Sequence, residues 1–107
     1  MTETLKRNRR PTAPGLLLKE LFLTPRGIVH KEFAADIEIS EKQLSLIVNG
    51  RRMMPVVAGR IAKALNTTPR LWLNAQAAVD DWDIQQELRN WEPKITYQAP
   101  ERMLKEA

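Results

Sequence analysis

Residues 33–52, FAADIEISEKQLSLIVNGRR, decide how this chain folds. Phe33, Ala34 and Ile37 lie at i, i+1 and i+4, so they share one face of a helix. Leu44, Ile47 and Val48 repeat the i, i+3, i+4 pattern on a second helix, and Ile39 sits in the break, placed to plug the corner. Ser40 is a good N-cap, and Gln43 three residues later completes a capping-box spacing. Asn49-Gly50 is a helix stop, because both residues tolerate the left-handed conformation. Helices of about two turns do not survive alone, since nucleation is costly. They need this interlocking apolar set, and Ala34 is small where the two must approach closely. Two short helices broken at Glu38-Ile39, with a polar start and a basic exit, form the pattern of a helix-turn-helix whose second helix enters the DNA major groove.

Length and charge set the outer bounds. At 107 residues the chain supports one small domain with short appendages. It has no cysteine, which removes disulfides, thiolate zinc sites and cysteine nucleophiles and suits a reducing cytosol. A single histidine, His30, cannot form a metal site alone. No apolar run approaches the length of a membrane span and no signal-peptide pattern is present, so the expected location is the cytoplasm, on the nucleoid when DNA is bound. The net charge of +4 divides unevenly. Residues 1–79 hold 13 Lys or Arg against 6 Asp or Glu, and residues 80–107 hold 4 against 7. The basic part suits phosphate, while the acidic part either meets a basic partner or is simply solvated.

The pattern along the chain is all-helical. Residues 1–13, with Lys6, Arg7, Arg9 and Arg10, read as a basic flexible arm that follows the DNA backbone or a minor groove, or as a solvated tail. Residues 14–82 form the DNA-binding domain. Pro14 opens helix 1, which runs through Leu18, Leu21 and Phe22. Helix 2 covers roughly 30–37 and helix 3 roughly 41–48. Pro55 opens helix 4, with Val57, Ile61 and Leu65 in one stripe, and Asn66-Thr67 ends it. Thr68 caps helix 5, with Pro69 at its first position and Pro93 as its stop. Trp72, Ala75, Val79 and Trp82 recur at 3-4-3 spacing, and Ile84, Leu88 and Trp91 continue a displaced stripe. Residues 83–107 are the continuation of helix 5 and a C-terminal extension. There 94–98 has strand-like composition and Met103-Leu104 forms a short helix or frays. One core needs only part of this apolar surface, so Val79, Trp82, Leu88 and Trp91 are assigned to a dimer or partner interface, unless helix 5 folds fully back on the domain.

Several segments together are more specific than the helix-turn-helix alone. They are Pro14-Gly15 followed by Leu17, Leu18 and Phe22-Leu23-Thr24-Pro25, then Asn49-Gly50-Arg51-Arg52, and Ala58 to Ala64-Leu65. Above all there is Thr68-Pro69-x-x-Trp72-Leu73-Asn74-x-Gln76-Ala77-Ala78. Across roughly residues 14–82 the chain resembles HigA-type antitoxins, also called VapI-like. The resemblance implies a five-helix lambda-repressor-like domain with a short C-terminal extension and no cofactor. It also implies a homodimer that neutralises a HigB-like, mRNA-cleaving ribonuclease of the RelE fold and represses its own operon at a palindromic double-stranded DNA operator. The chain departs from the family at two places. Glu38 stands where the inter-helix turn usually has a glycine with positive φ, which costs roughly 1–2 kcal/mol if the left-handed conformation is kept. Met53-Met54 replaces the small or polar residues common before helix 4, leaving Pro55 without a side-chain cap.

The expected DNA-binding set is Ser40, Glu41, Lys42, Gln43, Ser45, Leu46, His30, Lys31, Asn49, Arg51 and Arg52. Lys42, in the first turn of helix 3, suits guanine N7 and O6, and Glu41 a cytosine amine, although its carboxylate also favours the positive helix end. Gln43 suits adenine, with the capping box competing for its amide. Ser45 and Leu46 project one turn further on, Leu46 toward a thymine methyl. Asn49, Arg51 and Arg52 suit phosphates, and His30 and Lys31 approach the DNA backbone with their main-chain N–H groups. Leu44 and Ile47 face the core. Two other readings stand beside this one: a repressor without a toxin partner, and a small enzyme such as a nuclease. For the enzyme there is no carboxylate cluster at metal spacing, no Ser/His/Asp set and no phosphate-binding glycine loop. Asp80, Asp81 and Asp83 follow one another too closely on a helix to point at one ion.

Overall fold

In the computed structural model, which describes residues 9–106, the chain runs through α1 (Pro14–Leu17), a π-helical segment (Leu18–Leu23), α2 (His30–Asp36), α3 (Glu41–Val48), α4 (Pro55–Leu65), α5 (Pro69–Glu87) and α6 (Glu101–Glu106). There is no strand among the described residues, and 94–98 is irregular because no neighbouring strand offers a ladder. No helix there is long and apolar enough to cross a membrane. α2 packs on α3, α4 on α5, and α1 lies across α3 with a lighter contact to α5.

The two helices of the motif hold together as their spacing requires. Phe33, Ala34 and Ile37 from one, and Leu44, Ile47 and Val48 from the other, are all buried, with Ile39 half-buried at the corner. Each large apolar side chain so buried contributes roughly 1.5–3 kcal/mol, which is what lets helices of seven and eight residues stand. Helix 1 differs from its expected form. The Thr24 N–H reaches back five residues to the Lys19 carbonyl at 2.9 Å, and this wider turn rotates the inward face. Leu18 and Leu23 are fully buried while Leu21 is 61 % exposed, so Leu21 leaves the expected core stripe and Leu23 replaces it.

Helix ends explain the turns. After α2, the Ile39 N–H donates to the Ala34 carbonyl at 3.0 Å and the Glu38 N–H to the Ala35 carbonyl at 3.1 Å, with Glu38 left-handed at φ 61°. That is a Schellman closure, and it normally takes glycine. Arg60 of α4 donates from Nη1 to the Ile37 and Glu38 carbonyls at 3.3 and 3.2 Å, bringing a cation to the negative end of α2. Glu38→Gly should raise stability by about 1 kcal/mol, seen as a higher urea midpoint at unchanged slope.

α4 begins at Met54 with no side-chain cap, as the sequence suggests, and buries Val57, Ala58, Ile61 and Ala62. Thr68 caps α5, accepting from the Leu71 N–H. Trp72 is 1 % exposed, and its indole donates to the Thr67 hydroxyl at 2.8 Å. α5 passes through 82 and 83 without a break and ends at Glu87, short of Pro93. The apolar residues beyond that end, Leu88 and Trp91, are exposed, so no packing supports a longer helix. Within the expected N-terminal arm, Arg10 is ion-paired to Asp83 and Ala13 is buried, so this part is tied to α5. Lys6 and Arg7 lie outside the described residues.

Candidate nucleic-acid interface

Burying Leu44, Ile47 and Val48 forces the opposite side of α3 outward, and there Glu41, Lys42, Ser45 and Leu46 are exposed together. Ser40 accepts the Gln43 N–H on its hydroxyl at 2.9 Å, fixing the first turn. The reciprocal half of the capping box is not made, so the exposed Gln43 amide keeps its donors and acceptor. Lys42 and Arg51 have no carboxylate partner among the described residues and stand as free cations on this face. Lys31 is exposed and His30 half-buried at the start of α2. The Asn49 amide donates to the Ser45 carbonyl at 2.7 Å, so that side chain lies back along α3 instead of reaching out for phosphate as expected.

Arg52 is held from behind. Its guanidinium pairs with Asp80 of α5, whose carboxylate also accepts from the Gln76 amide at 3.0 Å. Gln76, only 7 % exposed, in turn accepts the Met53 N–H at 2.8 Å. Met53 is buried, so a residue that looked out of place in the sequence anchors the loop leaving α3. Arg10 clasps Asp83 with two bonds of 2.7 and 2.8 Å. The hydrogen bonds from Arg52, then Gln76, hold the Asp80 carboxyl below the usual carboxylate range, and Arg10 does the same for Asp83. The bonds to Asp80 and Asp83 raise Arg52 and Arg10 in turn. Both pairs are exposed, so their net energy is small and their effect is orientation. Two of the acids expected to be solvated or partner-facing are thus engaged within the chain.

The four residues assigned to an interface divide. Leu88 and Trp91 are 46 % and 59 % exposed. Trp82 is half-buried, with its indole N–H buried and without an acceptor among the described residues. Val79 is 2 % exposed and leaves the set, because it lies seven residues after Trp72 on the face that packs inward. Among the described residues no group of three or more His, Cys, Asp or Glu side chains could hold a metal ion. Three residues that shape the site carried no functional reading in the sequence: Gly15, Arg60 and Gln76. Of these, Gly15 and Gln76 had a signal, as named residues of the Pro14-Gly15 and Thr-Pro-x-x-Trp segments, whereas Arg60 had none of its own.

No family model matches the chain. Antitoxin HigA-1 of Vibrio cholerae is 42 % identical over 78 residues, which cover 73 % of this chain and 74 % of that protein. Among solved structures, antitoxin GraA aligns with a TM-score of 0.72 at 28 % identity, over 78 % of this chain and 90 % of that one. The Pseudomonas aeruginosa antitoxin HigA, solved with the higBA promoter, aligns with a TM-score of 0.71 at 23 % identity, over 80 % of this chain and 100 % of that one, and speaks for the fold. With the helix-turn-helix in place and the identity extending over three-quarters of a curated relative, the chain belongs to the HigA-type antitoxin family of helix-turn-helix proteins.

Proposed function

We propose that this chain is the antitoxin of a toxin–antitoxin pair and the repressor of its own operon. As a homodimer it places α3 of each copy in the major groove at one half of a palindromic operator, and it binds and neutralises a HigB- or RelE-like mRNA-cleaving toxin. The observation that carries the DNA half is the outer face of α3, where free Lys42, Gln43 and Ser45 stand on a helix start fixed by Ser40. Lys42 reads guanine, Gln43 adenine, and Glu41 meets a cytosine amine or the helix dipole. Arg51 and Arg52 hold phosphates, with Lys31 and His30 at the flanking backbone. The toxin half rests on the likeness to HigA-1. Trp82, Leu88 and Trp91 supply the dimer or toxin contact.

Lys42→Ala should weaken operator binding by about 1–3 kcal/mol and relax discrimination at one base position. Arg51→Ala should weaken binding to all sequences alike and flatten the salt dependence by about one unit of slope. Fluorescence anisotropy across a salt series separates the two, and if neither variant changes binding then α3 is not the reading element. The half-sites should lie about one helical turn apart, roughly 34–36 Å. The toxin half is tested by co-expressing each neighbouring open reading frame with the tagged chain. A small basic protein that copurifies, and stops growth only when this chain is missing, is the expected result. Copurification of nothing, with tight palindrome binding, would leave the second reading, a repressor without a toxin.

A further inference from the structure

Between the outer side of α3 and the start of α4 lies an open groove of about 360 Å³. Ile47 and Val57 form its floor, 3 % and 6 % exposed, and Leu46 and Met54 its walls, 37 % and 54 % exposed. Gln43 and Arg51 stand at the rim, joined by Arg52, and the lining holds no acidic side chain.

Met54 is anomalous in two ways. It occupies the N-cap of α4 without bonding any of the free N–H groups there, and it exposes half of an apolar side chain to water. A serine at this position would remove both penalties. Exposure alone is common on this chain, but an apolar side chain at an uncapped N-cap and beside Leu46 in one groove gains when something apolar covers it. On the DNA-reading surface the candidate is specific. The major groove presents one apolar group, the C5 methyl of thymine. We propose that the groove between α3 and α4 is a thymine subsite, in which Leu46 and Met54 enclose the methyl group, and that Met54 is a specificity-determining residue for the operator. The inference rests on the DNA-binding reading above and deepens it. Charge favours DNA over a second copy of the chain as the occupant. The basic rim attracts phosphates flanking the base, whereas another copy would bring the same basic rim against it.

The test uses the full chain and duplexes tiling the DNA upstream of its own coding region. In each duplex that binds, thymines are replaced singly by deoxyuridine, which removes only the methyl. One thymine per half-site should show binding weaker by about three- to tenfold, the scale of one buried methyl with its packing. Met54→Ser should melt at the same temperature or higher, because it gains a cap, yet bind the thymine operator more weakly and no longer distinguish it from deoxyuridine there. A wild-type chain indifferent to deoxyuridine at every position would overturn the subsite. So would a Met54→Ser variant that keeps the discrimination. If that variant instead loses self-association in sedimentation while discrimination stays, the groove is a contact between copies and the proposal fails. Absence of binding to any upstream duplex would overturn the DNA-binding reading itself, and the subsite with it.

Discussion

Gly15→Ala should destabilise the protein by about 3 kcal/mol or more, a large part of the roughly 5–15 kcal/mol that holds a typical domain folded. A Cβ at this position would lie 1.7 Å from the Ile47 carbonyl oxygen, 2.5 Å from its carbon and 2.9 Å from the Ile47 Cγ2. The first two are backbone atoms and cannot rotate aside. Either α1 lifts from α3, opening the core around Leu18, or the end of α3 is pushed outward. Overpacking a core usually costs about 1–3 kcal/mol when side chains can adjust, and here the obstacle is the backbone of α3. Urea unfolding measures the loss, and the surviving folded fraction should bind operator DNA poorly because α3 is displaced. Gly59→Ala is the matched control. Nothing lies within 4 Å of a Cβ there, and in the interior of α4 the change should stabilise by about 0.5–1 kcal/mol. Equal effects at the two glycines would contradict the packing described for α1.

Trp72→Ala is the second large change, with an expected loss of about 3–5 kcal/mol. The ring is 1 % exposed, stands 5.5 Å from Phe22 in a tilted pair and bonds Thr67 through its N–H. It is where the π-helical segment, the end of α4 and α5 meet. Truncation removes apolar area, leaves a cavity and releases the Thr67 hydroxyl. Trp72→Phe keeps most of the volume but cannot donate the hydrogen bond, so it should lose markedly less. Far-ultraviolet circular dichroism against urea separates the two, and a Trp72→Ala variant as stable as wild type would show that α5 is not fixed through this residue.

The helix-turn-helix was legible because its determinants are local. The apolar spacings in 33–37 and 44–48, the Ser40 cap and the Asn49-Gly50 stop act over one or two turns, and α3 spans Glu41–Val48 as expected. α4 was equally plain from Pro55 to Leu65. Elements whose form depends on what lies across the molecule were not. Leu21 turns outward where a π-helical turn shifts the register, and α5 stops at Glu87 where Leu88 and Trp91 lie exposed. The same division holds in the site. Residues opposite Leu44 and Ile47 had to be outward, so the exposure of Lys42, Ser45 and Leu46 follows from spacing. The partner of Arg52 is 28 residues away in sequence, and nothing local announces Asp80. Val79 shows the converse error. An apolar stripe gives a face, and only the fold decides whether that face meets the core or a second molecule.

The chain of contacts from Met53 through Gln76 and Asp80 to Arg52 also sets a proton sensitivity. Because the Asp80 carboxyl titrates below the ordinary range, its contribution is complete above the unfolded carboxylate value of about 3.9 and fades as pH falls through the lower folded value. Asp83 with Arg10 follows the same sign. Near neutrality both clasps stay charged and closed. The loop that follows α3 therefore keeps its Arg52 clasp on α5 through ordinary swings of acidity, while the buried bond from Met53 to Gln76 holds no titrating group and is indifferent to pH.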